Sequence, residues 1–236
     1  MTTLLIFFAV AFLILGYIIW EIRVRSQREA HIRSFILPKG LYDKLREKQP
    51  GLALKDCQLV AQGLRQFFLT YLKSGHQYVS MPSQVVDDLW HEFILYTKNY
   101  EQFCDQAFGR FLHHTPAAVM SSSKPGNSGL RRCWWFACRE ENINPRSPTR
   151  LPLLFALDTK LNIPNGFHYA ANCTLGRREG AGAAAAGAGV IYCGGDFSSS
   201  SADGGTDGFG DSGSSDSGGD GGSGCGGGCG GGGGGD

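Results

Sequence analysis

The chain has 236 residues, 35 of them glycine and 8 cysteine, with 22 Lys+Arg against 21 Asp+Glu. That length suits one folded unit with additions and excludes a pair of large domains. The near-zero total charge hides two unlike ends: 8 acids and no bases follow Arg178, which leaves residues 1–178 with 22 bases, 13 acids and a charge of +9.

Residues 4–20 (LLIFFAVAFLILGYIIW) carry no charge and no strong polar group, and Thr2 and Thr3 lengthen the run to 19 residues. About 17–25 helical residues cross a ~30 Å hydrocarbon core. The sequence therefore predicts a single-pass anchor over 1–25, with lipid meeting residues 2–20. Tyr17 and Trp20 fall where amphipathic rings favour the headgroup layer. A cleaved signal peptide would need a basic start and a small-x-small cleavage site. Here nothing basic precedes the run, and Tyr-Ile-Ile-Trp-Glu follows it. Arg23, Arg25, Arg28 and Arg33 all come just after it, and Lys/Arg excess marks the cytoplasmic side. The expected address is a membrane, with the body cytoplasmic and its cysteines in a reducing compartment. A body outside, with disulfides, would require that charge bias to be overridden.

Residues 26–175 hold most of the aromatic and amphipathic signal and predict an all-α domain of about five helices. Cys57, Val60, Leu64, Phe67, Phe68 and Tyr71 recur at three- and four-residue intervals, and Gly75 stops that helix. Pro82 and Ser83 open a second helix with Val86, Leu89, Trp90, Phe93, Ile94 and Thr97 on one face. A third stripe is Tyr100, Phe103, Cys104, Ala107, Phe108, Phe111 and Leu112. Residues 130–141 and 151–161 complete the set. Sustained alternation of period two is absent, which argues against a sheet-based fold. Residues 115–128 and 142–149 are turn-rich connections. Residues 176–236, rich in Gly, Ala, Ser and Asp, bury too little apolar surface to offset ordering and predict a disordered tail.

Unusual residues concentrate in Asp87-Asp88-Leu-Trp90-His91-Glu92, with Cys104, His113 and His114 downstream. Asp87 and Asp88 precede His91 by four and three residues, so either carboxylate reaches the imidazole on a helix. A carboxylate accepting one ring N–H leaves the other nitrogen as ligand or base. His91, Cys104, His113 and His114 are thus the candidate metal ligands, with zinc the candidate ion and Asp87, Asp88 and Trp90 in orienting or structural roles. Ordinary structure accounts for the same residues: a histidine beside an acid on a helix flank, a cysteine in an apolar stripe, and two histidines beyond a helix end. Leu95 stands four after His91, so the paired-histidine protease motif is absent, and no complete catalytic set is present. Cys133 and Cys138 are five apart in a helix, a spacing that does not put both thiols on one face. Cys225 and Cys229 form a CxxxC in the tail, with Cys193 upstream, and read as free thiols or a soft-metal site. The bases form no run beyond the juxtamembrane arginines, which suit anionic lipid and not nucleic acid.

The residues Asp88, Trp90 and His91, continued by Thr97, Tyr100, Phe103 and Cys104 and then by the run Phe108-Gly-Arg-Phe-Leu-His113-His114, resemble the glycine-rich domain-containing protein family. Leu151-Pro-Leu-Leu-Phe and Ile163-Pro-Asn-Gly166-Phe extend the resemblance over roughly residues 40–170. It implies relatives without implying a reaction, and the anchor with a short Gly/Cys tail is closest to a bacterial, inner-membrane branch. Two functions remain. One is a membrane-tethered interaction or scaffolding module that binds a protein partner or a second copy. The other is a metal site, hydrolytic or not, built on His91 with Asp87 or Asp88, Cys104 and His113 or His114.

Overall fold

The computed structural model describes residues 2–114, 128–171, 191–193 and 197. The expected disordered tail and its thiols Cys225 and Cys229 lie outside these residues, as does most of the 115–128 connection.

Helix α1, Thr2–Ser34, is continuous for 33 residues, about 50 Å at 1.5 Å per residue. The boundary expected at residue 25 falls inside it. Its two halves differ. From Leu4 to Ile22 the large apolar side chains are exposed on every side, from 45 % at Ile18 to 76 % at Phe12. By length and composition this is the one helix among the described residues able to cross a membrane, a test that a signal sequence also passes. The following half is amphipathic, carries Arg25–Glu29–Arg33 pairs at i,i+4 spacing, and buries Ile32 completely. Pro38 prevents its continuation.

A short helix α2, Leu41–Lys48, follows Gly40, whose φ of 84° favours glycine. It was not expected: only Leu41 and Leu45 face the core, too few to register as a periodic stripe. Helix α3, Leu54–Lys73, is the central element, packed by α1, α2 and α4 (Gln84–Leu95) and by α6 (Ser128–Glu140) and α7 (Leu153–Lys160). Gly63 makes this possible, since a Cβ there would lie 2.4 Å from Leu157 Cδ1. α3 ends where expected, with Gly75 at φ 72°. Ser83 caps α4, accepting from the Val86 N–H at 3.4 Å. Helix α5, Thr97–Phe108, stops at Gly109 (φ 68°), one turn before the third stripe runs out at Leu112. Phe35, Phe68, Phe93 and Phe103 stack at centroid distances of 4.6 to 5.6 Å, so α1, α3, α4 and α5 share one core.

The fold is therefore all-α, as expected. Among the described residues the one sheet is a parallel pair of three-residue strands, β1 (His168–Ala170) and β2 (Ile191–Cys193), with Tyr169 opposite Tyr192.

Candidate metal centre

Asp87 and His91 stand one turn apart on α4, with Asp87 Oδ2 3.5 Å from His91 Nδ1. His114 reaches the same carboxylate from the segment beyond α5, its Nε2 3.0 Å from Asp87 Oδ1. The two imidazole centroids are 4.2 Å apart. One ligating atom from each of the three residues lies within 4.8 Å of the others. Ligands at about 2.0–2.2 Å from a tetrahedral zinc sit about 3.3 Å from one another. The two Asp87–histidine distances are close to that edge, each histidine meeting a different carboxylate oxygen, which makes the three side chains a candidate donor group for a borderline divalent ion.

Two buried hydrogen bonds bring His114 to this point. Trp90 Nε1 donates to the Tyr100 hydroxyl at 3.2 Å, and that hydroxyl donates to the Leu112 carbonyl at 2.6 Å. The chain leaving α5 is thereby tied back onto α4, and the His114 ring packs against Trp90 at 4.6 Å. Asp87 and His114 also line a cleft of about 300 Å³, walled by Phe67, Tyr71, Val79, Met81 and Leu112. His91 is 43 % exposed against 15 % for His114, so the group has one solvent side and one cleft side.

The remaining candidates stand outside this three-residue group, although His113 lines the same cleft. Asp88 accepts from Gln49 at 3.0 Å and Gln84 at 3.2 Å. His113 is exposed and stacks on Phe111 at 4.8 Å. Cys104 is fully buried; burial pushes its thiol pKa up, against hydrogen bonds with the Leu112 backbone and the Tyr100 side chain. Asp87, expected to orient, is itself one of the three residues that could ligate an ion. Cys57, Cys133 and Cys138 are likewise buried free thiols, and burial raises Cys133 to about 12. These four are protonated at neutral pH and poor nucleophiles.

The sequence reading passed over Asp158. Its carboxylate is 1 % exposed and accepts from Ser83 Oγ (2.7 Å) and from the backbone N–H groups of Gln84 (2.7 Å), Val85 (3.2 Å) and Phe167 (2.9 Å). It thus fixes the start of α4, the helix that presents Asp87 and His91. Gly166 allows the approach, because a Cβ there would be 2.7 Å from Asp158 Cβ. A lone acid ending the apolar run LPLLFALD, with Pro-Asn-Gly six residues later, was the available signal.

No curated protein and no solved structure matches the chain. A family match spans residues 27–197, well over half of the sequence, from the docked half of α1 through both carboxylate clusters. On that extent, the chain belongs to the UCP032817-like family.

Proposed function

We propose that the protein is a membrane-tethered domain that holds a zinc-like divalent ion on Asp87, His91 and His114. The observation that carries this reading is the convergence of His114 on a carboxylate 27 residues away, at the wall of an apolar cleft. Three protein ligands leave a fourth position for water, whose pKa a bound zinc would lower. Holding the ion is the primary claim, and hydrolysis would follow from that open position. The tether in this reading is α1: its exposed apolar half has the length of a bilayer core, and the arginines that follow it favour a body on the cytoplasmic side. The resemblance to glycine-rich domain-containing proteins fits the same site, because Trp90 and Tyr100 are the residues that bring His114 to it. The scaffolding role rests on the tether alone, so the metal reading has the more specific support.

Metal analysis and zinc titration of the full chain in detergent test this. About one equivalent of zinc should be retained, and His91→Ala and His114→Ala should each weaken binding at least about tenfold. Sub-stoichiometric metal, or an affinity unchanged in both variants, would overturn the proposal.

A further inference from the structure

The contacts of α1 fix which end of the body lies nearest its apolar half. Arg25 donates to the Lys73 carbonyl, at the end of α3, at 3.3 Å, whereas Arg65, earlier in α3, donates to the Phe35 carbonyl at 2.9 Å. Arg28 lies against Gly109 at the end of α5, whereas His31 and Phe35 meet Phe103, earlier in α5. Both helices therefore run antiparallel to α1, and their C-terminal ends face the apolar half.

Cations gather at that end. Arg28 lies against Gly109, the residue before Arg110, and the charges of Arg110, Arg28 and Arg25 add to burial in lowering the pKa of His76, just past α3. Two carboxylates at this end are engaged by other cations: Glu29 by Arg25, Arg33 and Lys73, and Glu140 by Arg33 and Lys73. Among the described residues no carboxylate pairs with Arg28 or Arg110. An unbalanced charge pair of this kind attracts a phosphate, which guanidinium N–H groups bind in paired fashion.

Position selects the source of that phosphate. The run from Thr2 to Ile22 is about 30 Å long as a helix, and Arg28 lies about 9 Å further along the axis, within side-chain reach of the headgroup layer. We infer that Arg28 and Arg110, supported by Arg25, seat the phosphate of an anionic lipid headgroup and so fix the body against the membrane surface. The inference rests on α1 spanning the bilayer and is independent of the metal site.

The test uses the full chain in nanodiscs of phosphatidylcholine alone or with phosphatidylglycerol. Anionic lipid should raise the Tm of the body by about 4–8 °C. The Arg28→Gln/Arg110→Gln double variant should keep the Tm of the wild type in phosphatidylcholine and lose the rise. Lys98→Gln removes a charge near the other end of α5 and should retain it. Equal Tm in both lipids, an equal loss in Lys98→Gln, or the same rise on adding inorganic phosphate to phosphatidylcholine discs would each overturn the inference. Should α1 not span, the chain would stay out of the discs and be released by alkaline carbonate, a separate and distinguishable failure.

Discussion

Two carboxylates near α4 are used in opposite ways. Asp158 is sealed from solvent and meets four protein donors, one hydroxyl and three backbone N–H groups. Asp87 is partly exposed, and its oxygens face two imidazoles, each able to ligate a metal. A carboxylate fully engaged by fixed N–H groups joins parts of the chain, and little acceptor capacity remains for anything else. One that faces histidines can exchange a shared proton for a shared ion. Burial of an acid is therefore a poor guide to chemistry here. What its partners are able to bind is the better one.

The contrast is sharpest under substitution. Asp158→Ala strands four donors, two of them in fully buried hydrogen bonds, and should cost about 3–5 kcal/mol, measured by urea unfolding of the full chain in detergent. Gly166→Ala forces a Cβ into Asp158 and should cost about 1–3 kcal/mol by the same measurement. Tyr100→Phe removes the hydroxyl that ties Leu112 to Trp90 and should cost about 1 kcal/mol. Because it also frees His114, it should weaken zinc binding beyond what that loss of stability explains. Asp87→Asn should leave stability within about 1 kcal/mol while lowering zinc affinity at least about tenfold. If Asp87→Asn unfolded the protein as Asp158→Ala does, the contrast would be lost and Asp87 would be structural.

A smaller effect is expected on pH. His31 is held below its ordinary pKa by burial, and His76 by burial and then by its arginine neighbours. Both therefore favour the neutral form in the folded state. The unfolded chain takes up protons near pH 6.5, which the folded chain resists. Their contribution is fully present above that value and lost as pH falls below it through the lowered folded pKa values. Thermal melts from about pH 7 to about pH 5 should show Tm declining, with a shallower decline in His31→Phe, whose ring suits the neighbouring Phe35 and Phe103.

The helices were legible because each writes its buried face into its own periodicity. Cys57 to Tyr71 and Tyr100 to Phe108 needed no partner to be recognised, while Gly75 marked the end of α3 and Ser83 the start of α4. The short α2 left too few apolar positions to count. The Asp87–His91 pair was visible as an i,i+4 spacing. His114 was visible as a candidate, but nothing local distinguished it from His113 or Cys104.

By itself the sequence determined that one end carries an apolar rod of bilayer length and that the rest forms amphipathic helices, since both follow from the order of polar and apolar side chains along a few turns. Only the tertiary structure decided that His114 and not His113 turns to Asp87, that Asp158 holds the start of α4 from about 75 residues away, and that Arg28 meets Gly109. The physical reason is range. Periodicity specifies which face of a helix is buried, whereas the partner a polar group meets depends on where the packed helices bring distant segments together.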